Sequence, residues 1–547
     1  MLGWLRTIVN GNSVSIDELK AEQSRAPGTL YSSDYVVGQD NISPMGLDIH
    51  NPVFLISSFT IVTFVLFTLT QPDLAAIYFN DLRIWLTTTL DWFFMGAMNL
   101  YLLFCVFLVL SPLGRIRIGG SNARPRYHFV SWVCMLFAAG IGIGIMFYGV
   151  LEPMNHALVP PLNAESIDGQ ALRELAMAAT IYHWAFHPWA GYALVGLSLA
   201  FFCYNKGLPL VVRSALYPLL GERIWGWPGH IIDVVAVFAT LFGLATSLGY
   251  GAEQAAGGLN YLFDVPTGTG TNIVLVMVIT GMALTSVLKG LDGGIKRLSE
   301  WNMAVAACLG LFVLFSGPTI EVLKQFFNYS AAYISYLPEL SSWSGRTDFY
   351  YMHNWTTFYW AWWIAFSPFV GMFIARISTG RTVRQFVLAT ILAPSIIFML
   401  WMTTFGHIAM DQYFDQGIVD IADSVRNFQP ELTLFVFLGQ FDYTLITSIM
   451  GIILVIVFFV TSMDSGSLIV DTMTAGGKIN TPVAQRIFWC VALALIGIAL
   501  LLGGGLSSIQ ALALATAFPF SLIMLLMMIS LFLGLRSEHR QGSPAKR

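Results

Sequence analysis

Long apolar runs recur along the chain from about residue 52 to residue 535, separated by shorter polar connections. A run of about 20 apolar residues is long enough for a helix to cross the hydrocarbon core of a bilayer. The pattern predicts an all-α polytopic membrane protein with about twelve transmembrane helices. The predicted spans lie near residues 52–72, 88–112, 128–151, 174–204, 228–262, 272–289, 298–317, 353–376, 385–409, 443–471, 484–503 and 510–534.

The long connection after span seven, residues 318–350, carries Tyr and Phe at near-helical spacing. Such spacing is typical of an amphipathic helix that lies in the membrane interface. An ordinary folded loop is the alternative for this segment.

Charged residues divide the connections into two kinds. Connections after even-numbered spans are basic; the one after span two, for example, holds Arg115, Arg117 and Arg124. The connection after span nine is acidic, with Arg426 as its basic residue. Because basic connections face the cytoplasm, both termini are predicted to be cytoplasmic. Residues 1–50 then form a cytoplasmic segment, residues 51–535 the transmembrane domain and residues 536–547 a short cytoplasmic tail.

Composition supports this class and excludes others. Of the 547 residues, 56% are hydrophobic and 11% are charged, whereas soluble proteins carry roughly 25% charged residues. The net charge of −4 gives no electrostatic case for binding nucleic acid. The five cysteines lie in apolar segments without metal-ligand spacing, as is common for cysteines that act as small buried hydrophobes. Membrane lipid is therefore an expected partner and nucleic acid is not.

Two spans carry signals of an interrupted helix. Span three contains Gly140, Gly142 and Gly144, and span eight contains Ser367-Pro368. Glycine weakens a helix by about 1 kcal/mol relative to alanine, and proline removes a helix hydrogen bond. The two spans are five apart and so cross the membrane in opposite directions. This offset predicts an inverted repeat of spans three to seven and eight to twelve, preceded by two extra helices. Such repeats are typical of transporters, which bind substrate at the broken helices.

Aromatic residues cluster inside spans four and eight, in the stretches YHWAFHPWAGY (182–192) and FYWAWWIAFSPF (358–369). Tryptophan normally belongs at the membrane interface, but these clusters lie well within their spans. One interpretation is a packed aromatic core. The other is a cage for a quaternary ammonium group, which binds on ring faces through cation–π attraction worth about 2 kcal/mol or more when desolvated.

At these motifs the chain resembles the betaine/choline/carnitine transporters, a family with the LeuT-like fold. The resemblance extends from about residue 48 to span twelve and is strongest at GIGIGIMFYG (140–149), at 183–192 and at FYWAWWIAFSPFVGMFIARISTGRT (358–382). It implies a LeuT-like 5+5 inverted repeat, a bacterial inner-membrane location and a homotrimer. It also implies secondary active uptake of a methylated onium osmolyte: glycine betaine, choline, carnitine or dimethylsulfoniopropionate.

The resemblance assigns the substrate cage to spans four and eight. Trp362 adjoins the cage and is expected to line the same pathway. Phe366 stands where betaine carriers often have tryptophan, so a weaker cation–π face is expected there. The substrate-binding residues that the resemblance implies are Trp184, Trp189, Tyr192, Trp362, Trp363 and Phe366.

The resemblance also implies one site for Na⁺ as the coupling ion and no organic cofactor. Backbone oxygens and hydroxyl groups would form the oxygen shell that a small cation needs. The alternative is that the hydroxyl groups bond back to their own helix, which is common. The matching positions are Ala138 and Ile141 in span three and Phe458, Thr461 and Ser462 in span ten.

A second sodium site of the family is matched only in part. Thr240 and Phe369 fit it, but Leu244 replaces a threonine and has no side-chain oxygen. Proton-coupled uptake and onium exchange therefore remain alternatives to sodium coupling.

Other polar residues within the spans are expected to be structural. Asp233, Glu253 and Asp464 are candidates for a proton relay, but a structural hydrogen bond is favoured for each. His183 and His187 are interpreted as core histidines. Glu152, at the outer end of the glycine helix, is left outside the site.

Three other classes of protein predict features that the sequence lacks. An ion channel or receptor predicts a pore filter or a large soluble domain. A membrane enzyme predicts clustered ligands such as HExxH, and an ATP-driven pump predicts GxxxxGK[ST]. None of these motifs occurs, so the chain is predicted not to be an enzyme.

Overall fold

The computed structural model describes residues 35–140, 142–289 and 295–542, together with Tyr31 and Ser33. Most of these residues are helical, and the sheet among them is a short hairpin of β1 (Asn41–Ile42) and β2 (Ile49–His50). Within this described part, 11 helical stretches are long and apolar enough to cross a membrane. The prediction of an all-α polytopic protein is confirmed.

The helices follow the predicted spans closely. The first two spans and the helix between them are α1 (Val53–Thr70), α2 (Pro72–Thr89) and α3 (Asp91–Leu110). Span three consists of α4 (Phe129–Gly140) and α5 (Gly144–Leu158), and span four consists of α6 (Gly169–Trp184) and α7 (Phe186–Tyr204). The short helix α8 (Tyr217–Leu220) follows, and span five is the long helix α9 (Trp227–Phe263). Spans six and seven are α10 (Thr269–Lys289) and α11 (Ile295–Ser316), followed by α12 (Thr319–Ser341).

The second half begins with the one-turn α13 (Phe349–Tyr351), which a π-helical turn joins to α14 (Thr357–Ile377), and these form span eight. Span nine is α15 (Val383–Phe414), followed by the short helices α16 (Asp420–Arg426) and α17 (Pro430–Leu438). Spans ten to twelve are α18 (Thr444–Thr474), α19 (Val483–Leu502) and α20 (Leu506–Gly542).

Helix α2 is an element that the sequence reading left as a connection. Asp73, Asp81 and Arg83 interrupt its apolar character, so no long apolar run marks it. Pro72 occupies its first turn, where a missing N–H costs no helix hydrogen bond. The helix packs along α20 through one face.

Spans three and four are both broken in their middle. In span three, α4 ends at Gly140 and α5 begins at Gly144, as the glycine run predicts. Span four breaks at Ala185, whose backbone is non-helical (φ −101°, ψ −115°). Pro188 then lies in the first turn of α7, where N–H groups have no acceptor within the helix.

The interruption predicted at Ser367-Pro368 in span eight is wrong. Helix α14 continues through Pro368 to Ile377. Proline leaves the carbonyl of Ile364 without its usual donor, and the hydroxyl group of Ser367 donates to that oxygen at 2.7 Å. The serine therefore supplies the hydrogen bond that the proline removes, and the helix stays intact.

Helix packing supports the repeat independently of that proline. Span four packs on span eight, and span nine packs on span three. In the same way, span six packs on span ten, and span eleven packs on span five. A repeat of two five-helix halves produces contacts in such pairs. Exchanging the halves adds five to the first-half span of a pair and subtracts five from its second-half span, which turns one pair into the other.

Helix α12 replaces the loop that was the alternative for residues 318–350. Val322 and Tyr329 are buried on one face, and Ile320 and Phe327 are exposed on another. The helix packs against α6. Its position in a membrane interface stays a prediction.

The β1–β2 hairpin is fastened to the turn between α18 and α19. The Asp48 carboxylate pairs with Lys478 Nζ at 2.7 Å, and the Asp48 carbonyl accepts from Gln485 Nε2 at 3.0 Å. The neighbouring His50 is fully buried. The end of the predicted N-terminal segment is therefore part of the folded structure, whereas residues 1–30 lie outside the described part.

Candidate substrate and ion site

Four of the predicted cage residues come together around the break in span four. Trp184 ends α6, and Trp189 and Tyr192 occupy the first two turns of α7. Trp363 reaches them from α14, with ring centroids 5.5 Å from Trp184, 6.3 Å from Trp189 and 5.3 Å from Tyr192. The ring planes are steeply tilted to one another, so faces and edges alternate as in favourable aromatic packing.

Phe398 of α15 is a fifth member of this group that sequence reasoning missed. Its ring stacks on Trp184 with centroids 5.5 Å apart and lies 6.0 Å from Trp189. Only 1% of it is exposed. A single phenylalanine in an apolar span carries no local signal, and only tertiary packing brings span nine to the cage.

Trp362 and Phe366 lie on a different face of α14 from Trp363. Trp362 contacts Tyr148 and Tyr250, with centroid distances of 6.2 and 5.6 Å. Phe366, one turn further along, packs near Gly243 of α9 and against Phe369. Trp362 therefore belongs to an aromatic cluster beside the cage, which Trp184 joins through its contact with Tyr148 at 6.0 Å, whereas Phe366 packs toward α9.

Several indole N–H groups in this region have no protein acceptor. Among the described residues, Nε1 of Trp189, Trp362 and Trp363 is buried without a hydrogen-bond partner. A buried N–H group without a partner is costly. Such donors suit a site that receives a polar ligand.

Glu152 lies directly behind the cage. Its Oε2 accepts from Trp184 Nε1 at 2.7 Å and from the Tyr359 hydroxyl group at 2.5 Å. Its Oε1 lies 2.6 Å from His183 Nδ1 and 3.3 Å from His156 Nε2. Sequence reasoning placed Glu152 outside the site. The signal that could have found this cluster is the spacing of Glu152 and His156, which are four residues apart and therefore share one face of α5.

His183 at the end of α6 and His187 at the start of α7 have different surroundings. His183 contacts Glu152 through one ring nitrogen and Thr356 Oγ1 through the other, at 2.9 Å. His187 Nε2 lies 2.9 Å from the side-chain oxygen of Asn99. Both are buried and hydrogen-bonded, but His183 has the titratable neighbours that the sequence did not reveal.

The predicted sodium ligands are described only in part. Ile141 and the side chain of Ala138 lie outside the described residues. Ala138 belongs to the last turn of α4, whose carbonyl groups have no partner within the helix and carry the negative end of its dipole. This arrangement fits a cation.

In span ten, Thr461 and Ser462 are partly exposed. The Thr461 hydroxyl group donates to the Phe458 carbonyl at 3.0 Å, as in the alternative interpretation of these residues. A donating hydroxyl group keeps lone pairs for a cation. The break in span three and span ten converge on α9, because Ile143 and Val455 both approach Gly251.

The partly matched second sodium site is apolar where the threonine is missing. Leu244 is fully buried and fits against Gly466 of α18, where a methyl group on the glycine would lie 2.3 Å from Leu244 Cδ1. Thr240 donates to the carbonyl of Ala236 in its own helix at 2.8 Å. The side chains of these positions therefore show close packing rather than an oxygen shell.

Two of the three candidate relay carboxylates are held by arginine. Asp233 pairs with Arg213 at 2.5 Å, and Asp464 pairs with Arg486 at 2.9 Å. All four residues are buried. This pairing agrees with the favoured structural interpretation of both aspartates.

The family model of betaine/carnitine/choline transporters matches residues 52–540. The chain belongs to the betaine/carnitine/choline transporter family. Membership confirms the resemblance found at the aromatic motifs and makes the chain a transporter rather than an enzyme. Together with the apolar helices, it identifies a multi-pass membrane protein.

Relatives within the betaine/carnitine/choline family cover almost the whole chain. A glycine betaine/proline/choline transporter of Vibrio parahaemolyticus is 52% identical over 94% of this chain and 96% of its own length. A glycine betaine/proline/choline/ectoine transporter of the same organism is 47% identical over 93% of this chain and 91% of its own length. A glycine betaine transporter of Bacillus subtilis is 38% identical over 88% and 94%.

Proposed function

We propose that this transporter imports a methylated onium osmolyte by sodium-coupled alternating access across the bacterial inner membrane. The substrates proposed are glycine betaine, choline, carnitine and dimethylsulfoniopropionate. The single observation that carries the proposal is the convergence of Trp184, Trp189, Tyr192 and Trp363, with Phe398, on one point between three helical spans.

The cage suits a methylated cation because such a group cannot donate N–H hydrogen bonds. Aromatic faces attract it electrostatically, and tryptophan does so most strongly. The buried indole N–H groups of Trp189 and Trp363 support a zwitterionic substrate in addition, since each could donate to a carboxylate oxygen. Gly144 begins α5 close to Trp184, and a helix N-terminus favours negative charge.

Sodium coupling is proposed from the chemistry of the oxygen donors. Bound Na⁺ would add positive charge near the middle of span three and so link ion binding to the conformation of that break. The residues proposed to hold it are the backbone of Ala138, Ile141 and Phe458 and the hydroxyl groups of Thr461 and Ser462. Leu244 favours a single ion of this kind.

The basic connections after even-numbered spans support cytoplasmic termini. The exposed apolar side chains of the outer helices, such as Phe59 and Leu66 of α1, support lipid contact. A homotrimer is proposed on the family resemblance, and the mass of the purified complex tests it.

Uptake into proteoliposomes tests the function. Labelled glycine betaine, choline, carnitine and dimethylsulfoniopropionate would each be offered under an imposed sodium gradient and, separately, under an imposed pH gradient. Trp363→Ala serves as the cage variant. Sodium-driven uptake that Trp363→Ala abolishes would support both the cage and the ion site.

Other outcomes are equally informative. Uptake driven only by the pH gradient would retain the cage and refute sodium coupling. Accumulation only against a preloaded onium compound would indicate an exchanger. No uptake of any onium compound would refute the proposed substrate class.

A further inference from the structure

The cage of aromatic rings has a carboxylate directly behind one of its walls. Glu152 is fully buried within span three, and its Oε2 accepts the indole N–H of Trp184 at 2.7 Å. Sequence reasoning assigned the attraction for the cation to the ring faces and left Glu152 outside the site, so this position raises the question of what the glutamate adds.

The donors around Glu152 match the ionised form of its side chain. An ionised carboxylate only accepts hydrogen bonds and has about four sites for them. Glu152 has four candidate donors, two on each oxygen: His183 and His156 on Oε1, and Trp184 and Tyr359 on Oε2. The indole N–H can only donate.

The surroundings leave the negative charge without a permanent counter-ion. Among the described residues, Glu152 forms ion pairs only with His156 and His183, which carry a charge only when protonated. His183 also contacts Thr356 Oγ1 through its second ring nitrogen. If the Thr356 hydroxyl group donates there, the ring is neutral and its other nitrogen donates to Glu152.

The charge acts on the cage through Trp184. A hydrogen bond from the indole N–H to an anion increases the electron density of the ring, and cation–π attraction depends on that density. The same hydrogen bond fixes the ring against Trp363 and Phe398. A charge in the interior is also screened far less than one in water.

We propose that Glu152 is a positioning residue that gives the cage its preference for a cation over a neutral molecule of the same shape. The inference rests on the proposed function, because it assumes that the onium group binds against Trp184. The Glu152 carboxylate, which the Trp184 ring separates from the substrate, would then contribute to selectivity together with the aromatic rings.

Two competing ligands of the same shape, one charged and one neutral, separate the effect of ligand charge on binding from the effect of ligand shape. One is choline, and the other is its neutral tert-butyl analogue, in which carbon replaces the ammonium nitrogen. Inhibition constants of both would be measured against labelled glycine betaine on purified wild-type protein, Glu152→Gln and Glu152→Asp. Glu174→Gln, the same chemical change on α6 far from the cage, is the matched control.

With an effective dielectric constant of about 20, a charge roughly 8 Å from the cation changes binding by about thirtyfold. We therefore expect Glu152→Gln to weaken choline binding about thirtyfold and to change binding of the neutral analogue less than threefold. Glu152→Asp keeps the charge and should regain most of the preference for choline. Glu174→Gln should match wild type for both competitors.

Equal losses for both competitors in Glu152→Gln would overturn the proposal, because a purely structural role does not distinguish charge. Unchanged binding of both would overturn it as well. If wild-type protein binds no onium compound, the proposed function itself fails, and the two failures are thus distinguishable.

If Glu152→Gln does not purify as a monodisperse protein, Tyr359→Phe provides the test. This variant removes one donor from the carboxylate and leaves its charge less compensated. We expect the preference for choline over the neutral analogue to hold or increase. A decreased preference would overturn the proposal.

Discussion

Gly144 offers a direct test of how closely the cage is built. A methyl group at this position would lie 2.4 Å from Cη2 and 2.9 Å from Cζ3 of Trp184. Carbon atoms in contact stand about 3.5 Å apart, so the ring would have to retreat by roughly 1 Å. Its hydrogen bond to Glu152 and its stacking on Phe398 oppose that movement.

We expect Gly144→Ala to weaken choline binding by five- to thirtyfold. The cation–π attraction in a desolvated site is worth about 2 kcal/mol, and 1.4 kcal/mol corresponds to a factor of ten. Loss of about half to nearly all of that attraction gives the expected range. Alanine stabilises a helix by up to about 1 kcal/mol relative to glycine, so a loss of binding would not reflect a weaker α5.

Gly142 provides the matched control within the same break. A methyl group there would meet no atom of the described residues within 4 Å. Equilibrium binding of labelled choline to purified Gly142→Ala and Gly144→Ala would be compared with wild type, and we expect Gly142→Ala to bind normally. Wild-type affinity in Gly144→Ala, or the same loss in both variants, would refute the steric argument.

Three further predictions concern other parts of the molecule. Phe398→Ala should weaken onium binding at least tenfold, because it removes a wall of the cage and opens a cavity that typically costs 3–5 kcal/mol of stability. Phe398→Tyr keeps the ring and is the control. Equal binding by both variants would contradict the assignment of Phe398 to the cage. Thr461→Ala should raise the sodium concentration for half-maximal uptake about tenfold while Thr461→Ser changes it little, and an unchanged sodium dependence would refute the proposed ligand. Burial, followed by the charges of Arg213 and His230, lowers the pKa of His50 to about 3 from its usual 6.5. Since the unfolded chain then binds a proton that the folded chain excludes, thermal stability relative to His50→Phe should be constant above pH 7 and fall as the pH drops below about 6.5; a parallel pH profile in the two proteins would contradict this.

The spans could be predicted because the bilayer sets their length and composition, and these signals are local. Helix α2 was missed for the same reason, since charged residues break its apolar run. The proline of α14 was misread because the outcome depends on a side chain: Ser367 supplies the hydrogen bond that Pro368 removes. A sequence pattern identifies a missing donor but not its replacement.

The part of the candidate site that could be predicted consists of residues that lie together in one sequence motif. Trp184, Trp189 and Trp363 lie in conspicuous aromatic stretches, and packing brings them together. Phe398 comes alone from another span, and Glu152 acts through a hydrogen bond that crosses between helices. Such contacts depend on tertiary structure, which the sequence pattern did not contain. The roles of these residues stay predictions.

The fit of Leu244 against Gly466 constrains the order in which this protein could change during evolution. Gly466→Ala in the present background would collide with the leucine, because the two carbons would lie 2.3 Å apart. A hydroxyl-bearing residue at position 244 must therefore come first and would leave a small void, at a cost of about 1 kcal/mol or more. Only then could a larger residue at position 466 restore the packing. Restoring leucine at position 244 after the second step would recreate the clash, so the packing opposes reversal of the pair of changes.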